Sequence, residues 1–327
     1  MIRLGIDLGG TKIEIIALDA AGTPLLRRRV AAPQGDYAAT VAAIVGLVEQ
    51  AESDLGGRGT VGLGIPGSIS PHSGLVRNAN STWINGQPLQ RDLQARLGRE
   101  IRVANDANCF TVSEAVDGAA AGCGSVFGVI LGTGVGGGLV IGGGLVAGAN
   151  QIAGEWGHAP LPPQRLVGRP IDAIGDADER PGPACWCGRY GCIETWLSGP
   201  GWAAEFRRRV ALQEAATRSG IALHADQLSA PDIIAAARAG DATALAALDR
   251  YIARLARALA LIIGIVDPEA IVLGGGLSAI DELYDAVPRA WDGEVFADRV
   301  TTRLLRNRHG DSSGVRGAAW LWPPAAS

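Results

Sequence analysis

Three cysteines and a histidine lie in a pattern that is typical of a metal site. Cys185, Cys187 and Cys192 fall within eight residues, and His158 lies upstream. Thiolates and an imidazole can close a tetrahedral zinc site. Buried free thiols or a disulfide are the alternatives, but the glycines between Cys187 and Cys192 allow the tight turn that one shared ion requires. Four protein ligands leave no open position, so the predicted zinc is structural and not catalytic.

Two carboxylates flank this pattern. Glu155 lies three residues before His158, and Glu194 lies two residues after Cys192. Both could be solvated surface glutamates. Their setting among glycines and apolar residues favours a ligand-facing role, and a bound metal between them would hold both in place.

A glycine turn joins the first two predicted strands. The apolar residues 2–8 precede Gly9-Gly10-Thr11-Lys12, and a second apolar strand follows. The backbone N–H groups and the hydroxyl of such a turn can surround phosphate oxygens. Asp7, at the strand end, is placed to reach Mg²⁺ through water. An ordinary glycine-rich hairpin remains the alternative for this motif taken alone.

The second half of the chain repeats the pattern of the first. Residues 128–134 match residues 5–11, and residues 271–276 echo residues 61–67. Two such halves, each giving a glycine turn to one nucleotide across a cleft, are the duplicated actin-like (ribonuclease H-like) arrangement. We therefore predict an α/β fold of this kind with two domains around a cleft.

Two polar segments follow predicted strands of the first half. Asn105-Asp106-Ala107-Asn108 ends one strand, where Asn or Asp is first of all a helix N-cap. The same position aims a carboxylate into a cleft at the C-terminal edge of a sheet. The loop 78–83 is rich in amides and hydroxyls, which suits a sugar, with Asn80 as a candidate contact. A plain polar connection would have the same composition.

The sequence divides into two predicted domains. The first spans 1–118, and a C-terminal helix at about 312–327 is expected to pack back on it. The second spans 119–311 and contains the zinc-binding segment 158–192, within which residues 159–184 are predicted to form an exposed loop.

Composition and charge exclude several classes of function. The 327 residues carry a net charge of −4, and 47% of them are hydrophobic. No apolar run is long enough to span a membrane, and no signal leader precedes the first strand. Clustered cysteines without a signal fit a reducing cytoplasm. The runs Arg27–Arg29 and Arg207–Arg209 are better explained by solvated faces than by a nucleic-acid site. We expect a cytoplasmic protein without membrane or nucleic-acid partners.

Five motifs together resemble one known family. They are Asp7–Lys12, Asn105–Asn108, Leu131–Gly138, Gly154–His158 and Cys185–Glu194. In this order, over nearly the whole chain, they resemble the ROK family of sugar kinases and repressors.

The resemblance implies ATP with Mg²⁺, a structural Zn²⁺ and a specific set of site residues. The zinc ligands it implies are His158, Cys185, Cys187 and Cys192. It implies Asp106 as the catalytic base, with Asn105, Asp106, Glu155, His158 and Glu194 holding the sugar. The residues expected at the nucleotide are Asp7, Gly9, Gly10, Thr11, Lys12, Gly132, Thr133, Gly134, Gly274, Gly275 and Gly276.

Within the family, residues 78–89 look most like the fructokinase or manno(fructo)kinase branch, which predicts conversion of fructose to fructose 6-phosphate. N-acetylglucosamine kinase or glucokinase is the alternative, and a homodimer is expected. Family repressors carry a helix-turn-helix domain before the first strand, which here begins at Ile2, so an enzyme is favoured. A non-catalytic sugar-binding protein is disfavoured because Asp7, Asp106 and both glycine turns are present.

Overall fold

The computed structural model describes residues 1–164, 179–217 and 228–322. Most of the predicted 159–184 loop, and the last five residues of the predicted C-terminal helix, lie outside the described residues.

The chain forms two compact units, each built from separate stretches. The first unit comprises Met1–Gly128, Gly137–Gly154 and Asn307–Ser327, and the second comprises Val129–Gly136 and Glu155–Arg306. The division predicted from the sequence instead ends the first domain at residue 118, so it places all of residues 119–154 in the second domain.

A five-stranded mixed sheet is central to the first unit. The strands of the first half are β1 (Ile2–Leu8), β2 (Lys12–Leu18), β3 (Pro24–Ala31), β4 (Gly59–Ile65), β5 (Ser68–Ile69), β6 (Val76–Arg77) and β7 (Ile101–Asn105). The sheet order is β3-β2-β1-β4-β7, and β5 pairs with β6 separately. Strands β1, β4 and β7 run parallel, so their C-terminal ends share one edge.

A second five-stranded sheet has the same order. Its strands are β8 (Ser125–Leu131), β9 (Val135–Ile141), β10 (Gly144–Leu145), β11 (Ala270–Gly274) and β12 (Arg303–Arg306). They are arranged as β10-β9-β8-β11-β12. Strand β8 therefore takes the place of β1, with β9 and β10 on one side of it and β11 and β12 on the other. The predicted α/β duplication is therefore confirmed.

Helices pack against these sheets. They are α1 (Tyr37–Leu55), α2 (Leu89–Leu97), α3 (Asp106–Val116), α4 (Glu194–Leu197), α5 (Gly199–Thr217), α6 (Ala230–Arg238), α7 (Ala242–Val266), α8 (Glu282–Trp291) and α9 (Ser313–Trp320). Among the described residues, none of them combines the length and the apolar character needed to cross a bilayer.

The first unit buries its sheet between α1 and α9. Helix α1 buries Val41, Ile44 and Val48, which recur at the three- and four-residue spacing of one helix face. Helix α9 packs against β1, β4 and α3. The contact with β1 is a backbone contact, because a Cβ at Gly5 would overlap the carbonyl oxygen of Val315. The C-terminal helix thus contributes directly to the core of the first unit.

Helix α7 organises the second unit. It begins after Asp241, whose side chain accepts a hydrogen bond from the Ala244 amide, and it ends before Pro268. The buried Tyr251 on α7 packs against the Trp202 ring, with centroids 4.5 Å apart. Its hydroxyl donates to the Leu197 carbonyl at 2.9 Å. These contacts hold the junction of α4 and α5, the segment that Glu194 begins.

The two arginine runs are only partly solvated. Arg27 and Arg29 of β3 pair with Glu14 of β2, whose side chain is 3% exposed. Arg209 pairs with Glu205, whose side chain is 1% exposed. The arginines therefore neutralise buried carboxylates as well as facing solvent.

Candidate functional site

His158 and the three clustered cysteines converge in the second unit. Their four potential ligand atoms all lie within 4.8 Å of one another. Cys187 Sγ is 3.6 Å from Cys192 Sγ, and Cys185 Sγ is 3.7 Å from His158 Nδ1. In a tetrahedral site with zinc–sulfur bonds of about 2.3 Å, neighbouring ligand atoms lie about 3.8 Å apart. The donor atoms are therefore spaced to bind one zinc ion, and the donor set fits the predicted structural site.

The loop that carries the cysteines is closed by its own backbone. The Cys185 amide donates to the Arg189 carbonyl at 2.8 Å, and the Gly188 amide donates to the Cys185 carbonyl at 3.0 Å. Gly188 and Gly191 have φ values of 85° and 67°. The turn needs glycine at both positions, as the sequence predicted.

The Glu155–His158 segment is held against strand β9. Trp156–His158 forms one short 3-10 helix, and Trp156 Nε1 donates to the Gly136 carbonyl at 2.9 Å. A Cβ at Gly157 would overlap the Val135 carbonyl oxygen, so only glycine fits there. Glu155 remains exposed and His158 half-buried. The anchoring role of Trp156 was not predicted, although a single aromatic residue among small and polar ones could have indicated it.

Glu194 connects the cysteine loop to the second glycine turn. Its Oε2 accepts a hydrogen bond from the Val135 amide at 3.0 Å, and its Oε1 accepts one from Trp186 Nε1 at 2.7 Å. The carboxylate lies directly over Gly134, where a Cβ would come within 2.8 Å of Oε2. Trp186 was not among the predicted site residues, and nothing in its spacing from Glu194 signals the contact.

The two glycine segments of the second unit lie side by side. The Gly132 amide donates to the Gly134 carbonyl at 3.0 Å, which leaves Thr133 exposed at the tip of the turn. Gly275 fits closely against the Leu131 backbone, where a Cβ would overlap the carbonyl oxygen. The structure thus brings Gly274–Gly276 to the end of β8, where the 132–134 turn begins.

The first glycine turn is similarly tight. The Gly9 amide donates to the Lys12 carbonyl at 2.9 Å. The Gln34 side chain donates to the Gly10 carbonyl at 2.8 Å. Gly10 and Thr11 are exposed and Lys12 is half-buried, so the turn can offer N–H groups and a hydroxyl to an anion.

Asp7 occupies an unfavourable environment for a charged carboxylate. Burial raises its pKa to about 6, and the negative charges of Asp106 and Glu14 add to the shift, whereas Lys12 and Arg29 oppose it. A bound cation would reverse this effect by stabilising the ionised form. Carboxyl groups whose pKa is strongly shifted are typical of functional sites.

Asp106 lies at the same sheet edge as Asp7, because β1 and β7 both run parallel to β4. Asn105 is the N-cap of α3: its Oδ1 accepts from the Ala107 amide at 2.8 Å, and its Nδ2 donates to the Gly67 carbonyl at 3.0 Å. Asp106 Oδ1 also lies 2.8 Å from the Ala107 amide, but the residue is exposed. Helix capping is therefore already provided by Asn105 and does not by itself account for a carboxylate at position 106.

Asn80 lies in an ordered polar loop of the first unit. The Asn85 side chain accepts from the Ala79 amide at 2.9 Å and donates to the Ala79 carbonyl at 2.8 Å. Asn78 has a φ of 59°, and Asn80 is exposed. The loop therefore presents the Asn80 amide on a fixed backbone.

Comparisons with known proteins agree on one family. The ROK family model matches residues 3–325. An N-acetyl-D-glucosamine kinase of Erwinia tasmaniensis is 41% identical over 319 residues, covering 97% of this chain and 98% of that protein. An N-acetyl-D-glucosamine kinase of Vibrio cholerae is 39% identical over 318 residues, with 97% and 98% coverage.

Solved structures of the same family share the fold. A ROK hexokinase from Thermus thermophilus has a TM-score of 0.80 and 29% identity, covering 98% of this chain and 97% of that chain. A ROK family glucokinase from Streptomyces griseus, in complex with glucose and AMPPNP, has a TM-score of 0.72 and 27% identity, with 98% and 99% coverage. The two glycine turns, the acidic sheet edge and the Cys/His cluster are thus found in a chain that belongs to the ROK family.

Proposed function

We propose that this protein is an ATP-dependent sugar kinase that transfers the γ-phosphoryl group of ATP to a hydroxyl group of N-acetylglucosamine. The observation that carries the kinase assignment is the acidic pair at one sheet edge. Asp7 is buried enough for its pKa to rise to about 6, and Asp106 is exposed beside it. Phosphoryl transfer to an alcohol uses carboxylates in two roles, one that holds a cation and one that acts as the general base.

In this proposal, the residues of the first unit act on the phosphates and on the attacking hydroxyl. Asp106 accepts the proton of the sugar hydroxyl as the oxygen–phosphorus bond forms. The 9–12 turn binds phosphate oxygens through its N–H groups and Thr11. Asp7 would hold Mg²⁺, which when bound would supply positive charge to offset the negative charge of the phosphates.

The residues of the second unit bind substrate and nucleotide. Thr133 and its turn donate to phosphate oxygens, and Gly274–Gly276 flank the adenosine. Glu155 and Glu194 accept hydrogen bonds from sugar hydroxyls, and His158, whose Nδ1 faces the zinc site, donates one through its Nε2–H. The zinc ligands hold the two segments that carry these three residues, so the zinc ion acts on structure and not on the reacting groups.

The proposed acceptor differs from the one that residues 78–89 favoured. Relatives at 39–41% identity, matched over 97% of this chain, are N-acetyl-D-glucosamine kinases. This similarity supports the alternative and not fructose, so fructose becomes the second candidate.

A coupled ADP-release assay tests the acceptor. Fructose, mannose, glucose, N-acetylglucosamine and N-acetylmannosamine are compared at saturating ATP. We expect the highest kcat/KM with N-acetylglucosamine. A higher value with fructose would restore the fructokinase assignment, and no ADP release with any sugar would remove the kinase proposal.

Asp106→Asn tests the proposed base. Because Asn105 caps α3, the variant should melt like the wild type while kcat falls by on the order of a hundred-fold or more. Asp36→Asn is a matched control, since Asp36 caps α1 through the Ala39 amide and Asn caps helices about equally well. It should leave kcat unchanged, and near-normal turnover in Asp106→Asn would exclude Asp106 as the base.

A further inference from the structure

Trp186 is an exposed aromatic residue whose contacts are with site residues and not with a core. It lies between the zinc-ligand candidates Cys185 and Cys187, and it is 69% exposed. Its ring meets the His158 ring edge to face, with centroids 4.9 Å apart. Its indole N–H donates to Glu194 Oε1 at 2.7 Å. Burial of apolar surface therefore does not explain a tryptophan at this position.

The indole hydrogen bond completes the restraint of the Glu194 carboxylate. A glutamate side chain loses considerable rotamer freedom when it is ordered. Here one oxygen is held by the Val135 amide at 3.0 Å and the other by Trp186. Each carboxylate oxygen can accept a second hydrogen bond, so the two internal donors select which lone pairs remain for a ligand.

The same contact links Glu194 to the metal cluster. The Trp186 backbone lies between two thiol-bearing residues whose Sγ atoms belong to the four-atom cluster. The orientation of the indole therefore depends on how the 185–192 loop is closed. A change in the conformation of that loop would therefore shift the Glu194 carboxylate through the indole hydrogen bond as well as through the backbone.

We propose that Trp186 is a positioning residue for sugar binding: its indole N–H orients the Glu194 carboxylate toward the hydroxyl groups of the acceptor. This inference rests on the proposed function, in which Glu194 binds the sugar. A donor that acts only on the sugar-binding carboxylate should affect sugar binding more than the chemical step, because the proposed base is Asp106.

Trp186→Phe tests this inference. Phenylalanine keeps a six-membered aromatic ring beside His158 but lacks the five-membered part of the indole that carries the N–H donor. The KM for the sugar should rise about ten-fold, with kcat and the KM for ATP within about two-fold of wild type. Zinc content and melting temperature should be unchanged. Tyr190→Phe is a matched control, since Tyr190 is an exposed aromatic in the same loop, and its sugar KM should not change.

A double-mutant cycle with Glu194→Gln separates positioning from a general effect. Sugar binding is measured by calorimetric titration in all four proteins. If the indole acts through the Glu194 carboxylate, Trp186→Phe should weaken binding in the wild-type background and add little in the Glu194→Gln background. Additive losses would overturn the proposal, as would a wild-type KM in Trp186→Phe or a loss of zinc from it.

The indole N–H resonance gives a readout that does not depend on kinase activity. It is assigned by its absence from Trp186→Phe, and a hydrogen bond to a carboxylate should place it downfield of its position in Glu194→Gln. An unchanged resonance in Glu194→Gln would refute the positioning contact. A shifted resonance in a protein without kinase activity would instead retain the contact and refute the proposed function.

Discussion

Replacing Asp7 by Asn should stabilise the protein and abolish most of its activity. The pKa of Asp7 is raised from 3.8 to about 6, first by burial and then by the charges of Asp106 and Glu14. A shift of about 2 units corresponds to about 3 kcal/mol, at 1.36 kcal/mol per unit. This is the free energy that ionised Asp7 costs the folded state, as an order of magnitude.

The sign of the pH dependence follows from proton binding. Between pH 3.8 and about 6 the folded state binds the Asp7 proton more tightly than the unfolded state does. The unfolding free energy contributed by Asp7 therefore falls as pH rises through this window and is constant above it. Below pH 3.8 the carboxyl group is protonated in both states, so its destabilising effect is absent.

Urea denaturation of wild type and Asp7→Asn, without nucleotide or Mg²⁺, measures this difference. At pH 7.5 the variant should be more stable by up to about 3 kcal/mol, and the gain should shrink toward zero near pH 4. Its kcat with Mg²⁺ and ATP should fall strongly, since stabilisation with loss of function is typical of a strained active-site charge. Asp36→Asn, an exposed N-cap, should show neither effect. A variant less stable than wild type at pH 7.5, or a gain that persists at pH 4, would refute the reasoning.

Two further predictions concern the zinc cluster and a buried carboxylate. Protein purified without added metal should contain one zinc per chain by elemental analysis, and Cys187→Ser should lower both zinc content and activity; fully active, zinc-free wild type would contradict the site. Glu114→Gln should lower the unfolding free energy by about 2–4 kcal/mol in urea denaturation. The fully buried Glu114 carboxylate accepts hydrogen bonds from Ala119, Arg308, His309 and Ser313. Glu100→Gln, with a side chain 65% exposed, serves as its control, and equal stability of the two variants would show that this network is unimportant.

The sequence by itself was sufficient for the local features of this protein. The types and spacing of one histidine and three cysteines were enough to predict a cluster, and the structure brings their four candidate ligand atoms within 4.8 Å of one another. The strand–turn–strand pattern, repeated in the second half, was enough to predict the duplicated α/β fold, because alternating apolar residues and glycine turns restrict local backbone geometry. The ends of helix α7 are marked locally by Asp241, an N-cap residue, and by Pro268, which cannot continue a helix.

Only the tertiary structure determined which distant residues meet. The raised pKa of Asp7 depends on how deeply the end of β1 is buried and on the position of Asp106, neither of which is encoded within the motif. Arg254 is 1% exposed, although an arginine on an alanine-rich helix is normally expected at the surface. It is buried because Glu179, 75 residues away, accepts its hydrogen bond at 2.9 Å. The indole of Trp186 likewise acquires a role only when the 185–192 loop closes and brings it to Glu194. Pairings of this kind depend on the packing of whole segments, whereas a sequence pattern reports only the preferences of neighbouring residues.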